Sequence, residues 1–246
     1  KSGGFNGEAG TVAETVRPYD AETIDSFEVG FKSRFMENRA QVNAAAFVNK
    51  HKDMQLSVFT ATGAAASDIR NAGGATIKGI EVEGLFQLSD TFLARGSLGL
   101  LDSEYTEFIE FGMDVKDDRA FPHAPKSTWS LGFDWKAWAS DMGTVTLSAD
   151  ANHTAKYFTY PYSLTPTAPQ QAFNSESQAR TIFDARIAWS DIPIAGQGVE
   201  LALWGKNIFD KEYVANFIDF GPGFGGLTNG YFGAPATYGV TLGIEF

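Results

Sequence analysis

The sequence of 246 residues contains no cysteine, which excludes disulfide bonds and thiolate metal sites. Histidine is also scarce. His51, His123 and His153 lie far apart in the sequence, and no two of them have the spacing of metal ligands on one helix or hairpin. We therefore expect no metal site and no cofactor.

Long apolar runs and a positive net charge are absent as well. No run approaches the roughly 20 apolar residues of a transmembrane helix, and the mean hydropathy is -0.16, so a helical membrane protein is excluded. The formal net charge of -11 disfavours a nucleic-acid partner, which would require a basic face. Residues 1–10 lack the apolar core of a signal peptide, so either the mature chain begins here or the sequence is a piece of a longer one.

Aromatic residues and glycine are abundant, with 21 Phe, 8 Tyr, 5 Trp and 26 Gly. This composition fits the strands of a membrane β-barrel, which carry girdles of aromatic side chains and a small-residue interior. A soluble β-sandwich could share the composition. The periodicity of the sequence must therefore distinguish the two.

Residues 237–246 alternate between two faces, as side chains on a strand do. The first face carries Tyr238, Val240, Leu242, Ile244 and Phe246, and the other carries only small or polar residues and one glutamate. Outer-membrane barrels end on such strands, with the apolar face against lipid and the other face toward the lumen. The sequence therefore predicts a transmembrane strand at its end.

Eight further segments resemble this one, which gives nine predicted strands. The alternation is strong in residues 27–35, 80–88, 129–136 and 145–152, and weaker in 40–50, 92–102, 179–190 and 199–207. Short turns at 36–39, 89–91, 140–143 and 191–198 alternate with long loops near 51–71, 103–125, 160–178 and 208–235. This order is typical of an antiparallel β-barrel with short periplasmic turns and long extracellular loops, and it predicts a periplasmic C-terminus.

The alternation also assigns charged side chains to the lumen. The predicted lumen-facing residues are Glu81, Glu83, Asp134, Lys136, Asp150, Asp184 and Arg186. Solvation of a wet interior, or ion pairs with a plug inside the barrel, accounts for them better than a specific role in solute binding.

An odd number of strands cannot close a bacterial single-chain barrel, because an open sheet would leave unpaired backbone groups in lipid. We therefore expect the sequence to be the C-terminal part of a larger barrel. Residues 1–20 are predicted to be an extracellular loop with the end of a preceding strand, and residues 21–246 the C-terminal part of the transmembrane barrel.

Residues 204–213 read W-G-K-N-I-F-D-K-E-Y, and this stretch resembles the G-x-N-L-F-D-K-x-Y motif of TonB-dependent receptors of the outer membrane. Three further groups of residues resemble patterns of the same family, in the same order: Pro18, Glu22, Thr23, Phe27, Glu28, Gly30, Phe31 and Lys32; Asn71, Ala72, Gly73, Gly79, Glu81 and Glu83; Gly233, Pro235, Tyr238, Gly239 and Phe246. Ala236 departs from the family, in which many members have Arg at that point.

The resemblance implies active import of a scarce solute, most often a ferric siderophore, energised by TonB through a plug domain. It implies a barrel of about 22 strands, of which this chain is the C-terminal portion without the plug. The implied partners are outer-membrane lipid, TonB through the N-terminal region, and the barrel-assembly machinery, which would recognise Phe246 as an assembly signal.

Aromatic residues in the long loops are the candidate solute-binding residues, because their rings can stack on a catecholate or a sugar ring. They are Tyr105, Phe108, Phe111, Phe217, Phe220, Phe224 and Tyr231. Packing among loops is the competing explanation for these rings. Tyr157, Phe158, Tyr160 and Tyr162 lie at the base of another loop, where an aromatic girdle at the membrane surface explains them better than solute contact does.

Three other functions stay open on the sequence. A passive porin shares the lipid-facing alternation, and only the family motifs separate it from a gated transporter. A barrel enzyme would draw on Asp117, Asp118 and His123, which lie together in one loop, although no second catalytic pair accompanies them. The third is a soluble β-sandwich lectin, which would not need detergent for extraction.

Overall fold

The fold is described from a computed structural model. The structure describes residues 1–6, 18–59, 67–71, 73–110, 112–161, 164, 176–194, 197–219 and 227–245. In these residues no helix is long and apolar enough to cross a membrane.

The described residues form strands almost throughout, with one short 3₁₀ helix at Lys116–Asp118. The strands are β1 (Gly4–Phe5), β2 (Pro18–Tyr19), β3 (Thr23–Phe35), β4 (Ala40–Lys52), β5 (Gln55–Phe59), β6 (Ser67–Asn71), β7 (Gly73–Ser89), β8 (Phe92–Glu110), β9 (Met113–Asp114), β10 (Ser127–Ser140), β11 (Gly143–Thr154), β12 (Tyr157–Phe158), β13 (Glu176–Ser177), β14 (Arg180–Ile194), β15 (Gln197–Lys206), β16 (Val214–Asp219), β17 (Thr228–Phe232) and β18 (Thr237–Glu245).

Nine of these strands form one antiparallel sheet, which we call the wall. Its order is β3-β4-β7-β8-β10-β11-β14-β15-β18, so every strand pairs with the next long strand along the chain. The nine predicted strands are confirmed, because a period-two pattern sustained over eight or more residues gives a clear strand signal.

The first side of the wall is apolar and exposed, and we call it the apolar face. One row across it runs Phe31, Ala44, Val82, Leu98 and Trp129, each opposite the next in the register. Phe27 is 70% exposed and Leu242 is 67% exposed. Large apolar side chains over a whole sheet surface are typical of contact with lipid.

The second side, the polar face, carries all seven charged residues that the alternation assigned to the lumen. At its centre Arg95 makes a bidentate contact with Asp150, with distances of 2.8 and 3.0 Å from Nη2 to the two carboxylate oxygens. Arg95 also donates to Asp134, which accepts a second hydrogen bond of 2.6 Å from Ser148. The predicted register is therefore confirmed, and three of these seven residues, Asp134, Asp150 and Arg186, form ion pairs with residues of neighbouring strands.

One end of the wall carries the short turns. In the first of them Met36, Glu37 and Asn38 have positive φ angles of 53, 56 and 66°, which twist the chain back in the space of a few residues. The bounds predicted for the short turn over 191–198 were wrong. β14 continues to Ile194 and β15 begins at Gln197, because a bulge between Trp189 and Ile192 absorbs the extra residues and lets the pairing continue.

The other end, which we call the loop end, carries small hairpins in addition to irregular chain. β5 pairs with β6, β8 with β9, β12 with β13 and β16 with β17. β8 itself runs to Glu110, well into the predicted loop over 103–125. The predicted loops near 51–71 and 208–235 also contain strands, while the loop near 160–178 lies largely outside the described residues.

Candidate functional site

A buried aromatic cluster lies at the loop end above β7 and β8. Tyr105 and Phe108 pack with Leu56 and Ala75, and Phe108 is only 2% exposed. The Tyr105 ring contacts the Phe108 ring edge-on, with centroids 5.0 Å apart, and lies 4.7 Å from the Phe121 ring. These two predicted solute-binding rings therefore join β5, β7 and β8 to the chain that follows the 3₁₀ helix.

The polar groups in and beside this cluster differ in their hydrogen bonding. The Tyr105 hydroxyl is buried and has no hydrogen-bond partner among the described residues, and burial raises the pKa of Tyr105. Asp114 accepts hydrogen bonds from the backbone N–H groups of Phe108, at 3.0 Å, and Lys116, at 3.2 Å. The first of these bonds is the main reason that the pKa of Asp114 lies below its usual value.

The other predicted solute-binding residues are placed as follows. Phe217 lies on β16 with its ring half-buried, and Tyr231 lies on β17 with 53% of its surface exposed. Phe111, Phe220, Phe224 and the predicted assembly residue Phe246 lie outside the described residues. Of the predicted solute-binding rings that the structure describes, Tyr231 is therefore the most accessible to a solute.

A second cluster, which sequence reasoning missed, joins three elements of the loop end. Arg180, the first residue of β14, has its guanidinium carbon 4.4 Å from the Tyr213 ring centroid and 5.5 Å from the Tyr157 centroid. Its Nη1 donates to the hydroxyl of the fully buried Ser177 at 3.0 Å. We call Tyr157, Ser177, Arg180 and Tyr213 the Arg180 cluster. A lone arginine at a strand end gives no local signal, because its partners come from distant segments.

The stretch W-G-K-N-I-F-D-K-E-Y forms a clip between the wall and the last loop. The backbone N–H of Asn207 donates to Asp184 on the polar face at 2.8 Å. The Asn207 side chain accepts from the N–H of Lys211 at 2.8 Å and donates to the carbonyl of Ala234 at 3.0 Å. Asp210 accepts from the N–H of Ala236 at 2.8 Å. The motif therefore has a structural role in this chain.

Asparagines have a similar role near β6. Asn6 exchanges two hydrogen bonds with the backbone of Ile69, at 2.6 and 3.1 Å, in the manner of a β-bridge. The Asn71 side chain accepts from the N–H of Asp20 at 2.7 Å and donates to the carbonyl of Asp53 at 2.8 Å. These side chains tie the segments before β3 to the β5–β6 hairpin.

The residues considered for an enzyme do not assemble into a catalytic arrangement. Asp118 forms an ion pair with Arg119 at 2.9 Å, while the His123 ring lies 6.1 Å from the Tyr157 ring. Among the described residues no group of three His, Cys, Asp or Glu side chains could hold a metal ion. The geometry at this end of the wall suits binding through aromatic and cationic side chains.

The wall has an exposed apolar face, a polar face that carries charged side chains, short turns at one end and packed hairpins at the other. This combination defines a section of an outer-membrane β-barrel. The family described as "TonB dependent receptor-like, beta-barrel" matches residues 2–208, so the chain belongs to that family, which is located in the bacterial outer membrane and consists of receptors and transporters, not enzymes.

Solved structures share this fold at low sequence identity. The ferric yersiniabactin uptake receptor FyuA from Yersinia pestis aligns with a TM-score of 0.70 and 17% identity over 94% of this chain and 31% of that chain. The ferric preacinetobactin receptor BauA from Acinetobacter baumannii gives 0.65 and 19% over 98% and 32%. The copper transporter OprC gives 0.63 and 16% over 93% and 32%. The chain thus spans about a third of the length of each.

Proposed function

We propose that this chain is the C-terminal part of the barrel of an outer-membrane receptor that imports a scarce solute with energy supplied through TonB. The observation that carries the proposal is the family match over residues 2–208, on a wall whose two faces are those of a transmembrane barrel. Its mechanism is binding and gated passage, because the described side chains offer cationic and aromatic contacts and no catalytic arrangement.

A ferric siderophore is the solute that we favour. Two of the similar structures are named for ferric ligands, and the chain shares their fold. The copper transporter has the same fold, so a copper complex is the competing solute class. Stacking and charge recognition at the loop end suit a metal chelate with aromatic or anionic groups.

We infer that the short turns and the C-terminus lie in the periplasm and that the loop end faces the exterior. The short connections at 36–39, 90–91 and 141–142 share one end of the wall, and outer-membrane barrels keep their short turns in the periplasm. Phe246 would then serve as the signal that the barrel-assembly machinery recognises. A receptor that lacks Phe246 but reaches the outer membrane in normal amounts would contradict that role.

The uptake of radiolabelled ferric chelates by iron-limited cells tests the proposed function. Cells with the receptor should accumulate label, and cells that lack either the receptor or TonB should not. A matched panel of copper chelates decides between the two metals. Uptake that persists without TonB and without a proton gradient, together with swelling of receptor-containing liposomes in small sugars, would instead identify a passive porin.

A further inference from the structure

Arg180 stands on the polar face where β14 leaves the wall. It pairs with Thr154 in the register and shares its side of β14 with Asp184 and Arg186. Because β14 begins at this residue, the guanidinium lies at the mouth of the polar face at the loop end. A solute that enters from that end reaches Arg180 before the charges deeper in the wall.

Two tyrosine rings fix the position of the guanidinium. The Tyr157 hydroxyl donates to the carbonyl of Ala215 at 2.9 Å, which ties this ring to β16. The Tyr213 ring lies against Gly233, where an added Cβ would come within 2.0 Å of the ring. The Gly233 N–H also donates to the Tyr213 carbonyl at 2.9 Å. Arg180 is therefore held by rings that belong to two separate loops.

The positive charge of Arg180 is held without being neutralised. On the same face, Arg95 is paired with Asp134 and Asp150, and Arg186 is paired with Glu200. No carboxylate pairs with Arg180 among the described residues. The face of an aromatic ring attracts a cation but carries no net charge, so the guanidinium keeps its full charge.

Unused donors accompany this charge. Arginine has five N–H donors in a rigid fork, and in Arg180 only Nη1 donates to protein oxygens, those of Ser177 at 3.0 Å and Gln178 at 3.5 Å. The Nη2 and Nε donors have no protein partner in the described part of the chain. A fork of this kind matches a pair of anionic oxygens, and such bonds are shorter and stronger than neutral ones.

We propose that Arg180 is the anion-recognition residue of this receptor, and that its solute is a metal chelate whose carboxylate or catecholate oxygens bind the free edge of the guanidinium. The proposal rests on the proposed function and adds the charge of the solute to it. Tyr157 and Tyr213 position the guanidinium, and their rings contribute area against which the chelate can stack. A solely structural role, in which Arg180 joins two loops, is the alternative that the test must exclude.

Two probes of opposite character provide the test: a ferric tris-catecholate complex, which is anionic, and a ferric tris-hydroxamate complex, which is neutral. The full-length receptor is purified from outer membranes in detergent, and binding is followed by tryptophan fluorescence. Arg180→Gln should weaken binding of the anionic probe by about 10- to 100-fold, the equivalent of one or two hydrogen bonds to a charged group. Binding of the neutral probe should not change.

Arg34→Gln is the matched control, because Arg34 lies on the polar face at the short-turn end and, among the described residues, hydrogen-bonds only the neutral Gln41. It removes the same charge far from the mouth and should leave both affinities unchanged. Added salt should weaken binding of the anionic probe by the wild-type receptor more than by the Arg180→Gln variant.

Each outcome decides the proposal. Equal effects of Arg180→Gln on both probes would indicate a structural role and overturn it, as would binding of the anionic probe that survives the substitution. In either case the proposed function would stand. If the wild-type receptor binds only the neutral probe, the anionic solute is wrong, and if it binds neither, both the inference and the choice of a ferric chelate are overturned.

Discussion

The side-chain amide of Asn207 donates a hydrogen bond of 3.0 Å to the carbonyl oxygen of Ala234, at the far end of the last loop. The same side chain binds Lys211 through both of its polar atoms, and Asn207 is only 5% exposed. One buried residue thus joins the end of β15 to the chain that leads into β18.

Replacement of Asn207 by Ala should destabilise this end of the barrel by about 1 kcal/mol or more, because the Lys211 N–H and the Ala234 carbonyl lose a hydrogen-bond partner whose own side chain is buried. The positive φ of 48° at this position adds strain for any residue other than glycine or asparagine. Asn207→Gly should therefore be less harmful than Asn207→Ala. Urea unfolding in detergent measures both, and equal stability of all three proteins would contradict the clip.

The two faces of the wall should respond oppositely to a positive charge. Leu98 lies on the apolar face, and its neighbour Ser97 lies on the polar face and is exposed. Leu98→Arg should cost about 2–4 kcal/mol at mid-depth in a bilayer, whereas Ser97→Arg should cost far less. Unfolding in lipid vesicles measures the difference. Equal effects of the two substitutions would mean that the apolar face does not contact lipid.

Protonation of Glu22 in acid should destabilise the chain where it enters β3. Burial alone would raise the pKa of Glu22, but hydrogen bonds from the Gln55 N–H and Lys1 and the charges of Lys1 and His51 together lower it. A lowered pKa means that the ionised form stabilises the fold above the ordinary value of 4.5 and that this contribution is lost as the pH falls through the folded-state pKa.

Hydrogen exchange at the Gln55 amide tests this linkage. In the wild-type protein the protection factor should fall as the pH drops below about 4.5. In Glu22→Gln, which cannot ionise, protection should be lower near neutral pH and should not change with acid. The same acid dependence in both proteins would assign it to another group.

Substitutions in the buried aromatic cluster at the loop end distinguish a packing role of its rings from direct contact with the solute. Phe108→Ala removes a buried ring and should lower the free energy of local opening by about 3 kcal/mol. Tyr105→Phe removes a buried hydroxyl without a described partner, so it should be neutral or stabilise by about 1 kcal/mol. Hydrogen exchange at Leu56 and Ala75 measures both. A loss of solute affinity in Phe108→Ala without a change in exchange would favour direct solute contact.

Single cysteines test the proposed orientation, because the chain has none of its own. Asp117 lies at the loop end and Glu37 lies in a short turn, and both are exposed. A membrane-impermeant maleimide added to intact cells should label Asp117→Cys and spare Glu37→Cys. Permeabilised cells should show labelling of both. Labelling of Glu37→Cys alone in intact cells would reverse the orientation.

The wall could be predicted from the sequence because each strand carries its own signal. Side chains that alternate between lipid and water impose a strict period of two, which segments such as β10 and β18 satisfy without reference to any other segment. The end of β14 could not be predicted in this way. Pro193 and Gly198 are usually turn residues, yet here they pair with each other beyond a bulge.

The loop end was less predictable because its structure depends on contacts between distant segments. Tyr105 and Phe108 were predicted to bind solute from their residue type, and only the fold shows that Leu56 and Ala75 cover them. The Arg180 cluster joins residues 157, 177, 180 and 213, and no spacing in the sequence links them. The solute-binding role of the loop aromatics stays a prediction.

At the loop end, the β7–β8 side and the β16–β17 side are held in place by different kinds of hydrogen bond. At the loop end β7 and β8 pair with each other as far as Gly73 and Phe108, with one register shift between Gly74 and Ala75, so local opening on this side breaks several backbone hydrogen bonds. The β16–β17 hairpin is joined to its neighbours largely through side chains, among them those of Tyr157, Ser177 and Asn207. We therefore expect the β16–β17 side of the loop end to open locally at a lower free energy than the β7–β8 side, and substitutions in the Arg180 cluster to lower it further.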